Sequence, residues 1–126
     1  MARSSPVTPS RFPRAVFGVG AEPDPRFSLA NERTFLAWIR TGLALIAGGV
    51  AIDAVVLPLP GWVRTATAVV LLVLGLAVPV LAWLNWAASE RALRLGRPLP
   101  GSFVTLPLAV GVLLVGVLVV VGVLAR

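Results

Sequence analysis

From Ser102 to Ala125 the sequence runs without a charged residue, and two further long apolar blocks lie within residues 28 to 57 and 62 to 95. A helix needs about 20 consecutive apolar residues to cross the hydrocarbon core of a bilayer, and inside that core every backbone N–H and C=O must be satisfied within the protein. Three such blocks occupy more than half of the 126-residue chain. The fold class that follows is all-α: an integral membrane protein with three transmembrane helices and a disordered basic N-terminal tail.

Proline and glycine set the limits of the helices. The first is expected over about 28 to 57, with Ser28 as N-cap and Glu32 placed where a negative charge suits the helix dipole. It stops at "LPLPG", where Pro58, Pro60 and Gly61 make a tight turn. The second covers about 62 to 95 and ends at Gly96 and Pro98. At 1.5 Å per residue it measures roughly 50 Å, longer than the hydrocarbon core, so its last turns are expected in water. The third covers about 102 to 125, with Pro107 in its first two turns, where proline is tolerated. Residues 1 to 26 hold five prolines and four arginines with no long apolar run. They are read as a mobile tail outside the 27 to 126 membrane domain. A cleaved leader would need an apolar segment directly behind its positive start, and none is seen there.

Composition excludes several kinds of chemistry. With no cysteine and no histidine, the sequence offers no disulfide and no conventional zinc, haem or iron-sulfur ligand set, so no metal or cofactor is expected. No Ser/His/Asp set, carboxylate pair or glycine-rich phosphate loop occurs either, and an enzyme is not expected. All eleven cations are arginines, against five acids. Their placement in the tail and at helix ends marks topology rather than a nucleic-acid surface. Arg3, Arg11, Arg14, Arg26, Arg33, Arg91, Arg94 and Arg97 fall on one side, and Arg64 and Arg126 on the other. The positive-inside rule then makes the N-terminus cytoplasmic and the C-terminus external. Trp38, Trp83 and Trp86 near one interface and Trp62 near the other agree with that placement.

The first helix carries charge into the membrane. Only twelve uncharged residues separate Arg40 from Asp53, fewer than the roughly 20 a span requires, so one or both charges enter the membrane zone. Folding the first two helices antiparallel about residues 58 and 59 brings Asp53 level with Arg64, and an ion pair is expected there. The same folding sets Arg40 near Ala77 and Pro79, where there is no acid. Pro79 deprives the Gly75 carbonyl of its helical donor, and that carbonyl is one in-chain partner for Arg40; the alternative is an anion, a lipid phosphate or another subunit. At about 100° per residue, Arg33 and Arg40 share a stripe with Ala37, Ala44, Ala47 and Ala51, while Trp38, Gly42, Gly49 and Asp53 lie opposite. Small residues at such positions mean close helix packing in membranes. The glycine face is expected to seat another helix of the chain, leaving the arginine stripe for a second copy, an anion path or a headgroup site. At the tail end, Glu32 and Arg33 are expected beside Asn85, Ser89, Glu90, Arg91 and Arg94, as a solvated network or a contact with anionic headgroups.

The stretch "FSLANERTFLAWIRT" closely resembles the signature of the bacterial YidH-type inner-membrane proteins, a family of unknown function. The resemblance extends to "ASERALRLGRPLP" and to the three-span layout. It implies a location in the bacterial inner membrane. The motif of Asn31, Glu32, Arg33, Thr34, Phe35 and Leu36 is also similar to one in the membrane domain of the eukaryotic vacuolar transporter chaperone, whose helices form a basic path for polyphosphate. That resemblance implies Arg33 as a polyanion contact with Glu32 as its gate or ion-pair partner; it gives Arg40 no role, because the eukaryotic motif is not basic there. The expected function is a structural or accessory membrane protein that self-associates, in contact with lipids. The alternative is an oligomeric anion or polyphosphate path lined by Arg33 and Arg40.

Overall fold

The computed structural model describes residues 11–126, and the expectation of disorder for residues 1–10 lies outside them. Among the described residues four helices are seen: α1 (Arg14–Phe17), α2 (Pro25–Ala54), α3 (Gly61–Leu95) and α4 (Thr105–Ala125). The last three are long and apolar enough to cross a membrane. α3 is central: among the described residues α2 and α4 each pack on it and not on each other, and α1 rests on its C-terminal part. Only 11% of the most apolar window is buried in α2 and again in α4, so most of their surface needs lipid or another protein as solvent.

Two helix starts differ from the sequence reading. α2 begins at Pro25, capped by Asp24, whose carboxylate accepts from the Arg26 N–H at 2.9 Å. Aspartate followed by proline is a strong start, because proline gives up only an N–H that would be unpaired and its fixed φ suits the first helical position. The Arg26 side chain, and then its backbone N–H, hold the Asp24 carboxyl below the usual carboxylate range. Ser28 is therefore inside the helix. α4 begins at Thr105 rather than Ser102, and the Ser102 hydroxyl accepts from the Val104 N–H at 3.3 Å. The end of α3 is as expected, with Gly96 left-handed at φ 65° and its N–H on the carbonyls of Ala92 and Leu93.

Glycine sets how closely the helices approach. Gly42 and Gly49 of α2, the two glycines of its expected seating face, are buried and meet α3. A Cβ built on Gly75 would lie 3.0 Å from the Ile46 nitrogen and 3.1 Å from the Gly42 oxygen; one on Gly49 would lie 2.8 Å from Leu72 and 3.1 Å from the Ala68 oxygen. Both positions meet backbone atoms, and repacking of side chains cannot relieve such contacts. Gly111 and Gly122 seat α4 on the side chains of Leu74 and Val63. Further toward the tail end, Val78, Ala82 and Val104 form a buried cluster wrapped by Phe35, Trp38 and Leu45 from α2 and Leu108 from α4.

The segment before α2 departs most from expectation. Residues 11–24, read from sequence as part of a mobile tail, lie against the end of α3. Gly20 is left-handed at φ 61°, and a Cβ there would collide with the Arg94 carbonyl oxygen, which accepts from the Ala21 N–H at 3.1 Å. Glycine thus lets this strap touch the backbone of α3 where any side chain would collide.

Replacing Gly75 with valine should separate α2 from α3. We expect a loss of about 1–3 kcal/mol, typical of overpacking, read by reversible unfolding in detergent, whereas Gly116→Val on α4, where a Cβ meets nothing within 4 Å, should be near neutral.

Candidate functional site

Charged and aromatic side chains gather where the N-terminal strap, the start of α2 and the end of α3 meet. α3 is 35 residues long, several turns more than a span of about 20 requires, and its C-terminal part carries Asn85, Trp86, Glu90, Arg91 and Arg94. The close approach along the glycines brings the first turns of α2 within side-chain reach of this part of α3. Asn31 donates to the Trp86 carbonyl at 3.0 Å and to Glu90 Oε2 at 3.4 Å, and the Ser28 hydroxyl donates to Glu90 Oε1 at 2.8 Å.

Glu90 is the centre of this arrangement. Its side chain is 4% exposed and that of Arg94, one turn later, 3%, with Arg94 Nε 3.9 Å from Glu90 Oε1. Burying a carboxylate is tolerable only when charge and hydrogen bonds compensate it, and Glu90 receives both. Arg94 extends the network outward: Nη2 donates to Glu22 Oε1 at 3.1 Å and Nη1 to the Phe17 carbonyl at 3.5 Å. Its Nε is buried without a hydrogen-bond partner among the described residues. Arg11 also pairs with Glu22, and Arg11 and Arg94 each lie over the Phe17 ring, with Cζ 4.4 and 4.7 Å from its centroid.

These groups border an open cavity of about 510 Å³. Its apolar wall is an aromatic cluster, in which Trp83 and Trp86 are 5.0 Å apart, Phe35 packs on both, and Phe17 approaches Trp86 at 5.9 Å. Its polar wall holds Arg11 and Arg94 with Glu22, Glu32 and Glu90. Chemically this is a site at the end of the apolar spans that offers a partly used guanidinium beside an aromatic surface.

The residues singled out in the sequence separate into three groups. Asn31, Glu32, Glu90 and Arg94 come together here, with Glu32 exposed at the rim. Asn85 serves the other side of α3: its buried Oδ1 accepts from the Phe103 N–H at 3.3 Å and ties the α3–α4 loop to α3. Arg91 is exposed and donates to the Ala15 carbonyl at 2.9 Å. Arg33 and Arg40 stay apart from the cavity, exposed on α2, with no ion pair or side-chain hydrogen bond among the described residues. Arg40 does not reach the Gly75 carbonyl; Gly42 faces that oxygen instead, its would-be Cβ 3.4 Å away. The expected Asp53–Arg64 pair is also not among the ion pairs of the described residues. Asp53 is exposed and Arg64 half-buried, and α2 ends at Ala54, so the two helices do not run unbroken to the fold point at 58 and 59 on which the pairing rested. Sequence reasoning missed Arg11, Phe17, Glu22 and the use of Ser28; the Asp24-Pro25 start, which fixes the strap's exit onto α2, was the available signal.

A three-span membrane helix assembly with a polar network at one end is thus the class that fold and site define. The chain belongs to the family described as "Domain of unknown function (DUF202)", which matches residues 26–92; that range holds the Asn31–Glu90 contact and stops short of Arg94. An uncharacterized protein of Mycobacterium tuberculosis is 45% identical over 107 residues, covering 83% of this chain and 87% of the relative. The inner membrane protein YidH of Escherichia coli is 42% identical over 86 residues, covering 65% and 72%, and that of Shigella flexneri is equally similar. No solved structure matches the chain.

Removing the central carboxylate leaves Arg94 buried with only the strap's Glu22 as counter-charge. Glu90→Ala should therefore cost about 3–5 kcal/mol, measured by unfolding in detergent, while Glu32→Ala at the exposed rim should cost less than about 1 kcal/mol.

Proposed function

We propose that this chain is a non-enzymatic, self-associating component of the bacterial inner membrane, assembled through the outward face of α2. The observation that carries the reading is the exposure of Arg33, Ala37, Arg40, Ala44, Ala47 and Ala51 together, while Gly42 and Gly49 on the opposite side are taken up by α3. An arginine facing hydrocarbon costs about 2.5–3.5 kcal/mol at the centre of a span, less toward the interface. A neighbouring copy removes part of that cost, and the alanines allow its backbone to come close. The surplus of arginines at the end bearing the strap supports a cytoplasmic N-terminus and an external C-terminus. The names of the relatives, inner membrane protein among them, support the location.

A second reading follows from the same placement. Arg33 and Arg40 share the exposed face, so copies arranged around an axis would line it with two cations each, suited to an anion such as polyphosphate. The first reading does not require conduction.

The chain has no cysteine, which makes a crosslinking test simple. In native membranes, Ala44→Cys and Ala47→Cys should give oxidative dimers, and Val110→Cys, exposed on α4, should give none. Equal crosslinking from all three, or none from the α2 positions, contradicts assembly through α2. In reconstituted vesicles, anion flux lost in both Arg33→Ala and Arg40→Ala, with crosslinking at Ala44→Cys retained, supports a path; unchanged flux rejects it.

A further inference from the structure

The strap contributes every hydrogen-bond acceptor used by the Arg91 and Arg94 side chains among the described residues: the Ala15 carbonyl for Arg91, and the Phe17 carbonyl and Glu22 carboxylate for Arg94. These two arginines are three residues apart near the end of α3, beyond the length a span requires. The strap satisfies Arg94 poorly. A guanidinium carries five N–H donors; two of Arg94's nitrogens donate, one of them at 3.5 Å, and the buried Nε has no partner among the described residues. Glu22 binds through a single oxygen, Oε1, which it shares with Arg11.

We propose that Arg91 and Arg94 form a site for a phosphate-type oxyanion, and that segment 11–24 is an internal competitor occupying it, with Glu22 standing where the anion's oxygen binds. A tetrahedral oxyanion takes the Nε–H and Nη2–H edge of Arg94 together, the bidentate geometry that one Glu22 oxygen does not provide. Displaced Glu22 gives up little, because its side chain is already 58% exposed, and Arg11 leaves with it as its ion-pair partner. Arg91 is freed in the same step, because the strap holds its acceptor. Glu90 remains in place, held by Ser28 and Asn31 from α2. The site lies where α3 outruns its membrane span, within reach of two sources of the same chemistry: the phosphate of an anionic lipid and a dissolved phosphate compound. It does not depend on assembly through α2.

The test uses the full chain with a nitroxide label on Ala15→Cys, an exposed strap position. In nanodiscs of zwitterionic lipid the label should be immobilised. Titration with inorganic pyrophosphate should mobilise it if the dissolved anion is the ligand; exchange of part of the lipid for phosphatidic acid should mobilise it without pyrophosphate if the headgroup is. In whichever arm responds, Glu22→Gln should lower the half-saturating level about tenfold, as loss of a charge-assisted competitor predicts, and Arg94→Gln, which removes the strap's anchor together with the anion's, should leave the label mobile from the start and insensitive to either anion. Gly20→Ala, which leaves the charged groups intact and collides with the Arg94 carbonyl, should mobilise the label without either anion. If neither anion moves the label, or if Glu22→Gln leaves the response unchanged, the proposal is wrong; should Arg94→Gln fail to fold, Glu22→Gln decides alone.

Discussion

A buried carboxylate organises one end of this molecule. Glu90 is almost fully enclosed, and it remains tolerable because α2 supplies two neutral donors, from Ser28 and Asn31, while α3 supplies a cation one turn away. Neither α2 donor would reach Glu90 if the helices stood further apart. The glycines at 42, 49 and 75 set that distance through backbone contact. Apolar packing inside lipid is weakly directional, because lipid tails are as apolar as leucine, and the polar network gives the α2–α3 pair a defined register.

From that register follows the division of α2 into two faces. One is taken up by α3 through glycine. The other carries Arg33, Arg40 and four alanines outward. Arg94 in turn links the buried network to the strap, so the end of α3 is both the support for Glu90 and the landing place of residues 11–24. The same arginine therefore reports on two things, the packing of the helices and the position of a segment outside them.

The three apolar helices, a break at Pro58 and Pro60 and the glycine stop at 96 were legible because each rests on a local rule: apolar length, missing N–H donors, positive φ; the edges of that break were not, since α2 ends at Ala54 rather than near 57 and Gly61 is the first residue of α3. The seating of Gly42 and Gly49 was legible from helical periodicity alone. The strap was not. Its residues form no apolar run, and what fixes them is Glu22 on Arg94, 72 positions away, with Gly20 admitting the contact; neither leaves a pattern in a window of sequence. Arg94 was picked out as an anion contact from its charge, but its burial and its partners depend on the strap. Asp53 and Arg64 show the opposite failure, in which a level deduced from antiparallel folding about residues 58 and 59 did not bring the side chains into an ion pair, because α2 stops at Ala54 short of that point.

Asn31 and Glu90 act as one unit across the α2–α3 contact, and the register of the two helices depends on them. A double-mutant cycle with Asn31→Ala and Glu90→Gln, read by reversible unfolding in detergent, measures that most directly. Contacting residues in a buried network give a coupling of about 0.5–3 kcal/mol, and we expect a value within that range. Additivity of the two substitutions, with no coupling beyond error, would mean that the buried carboxylate does not hold the helices in register and would contradict this central claim.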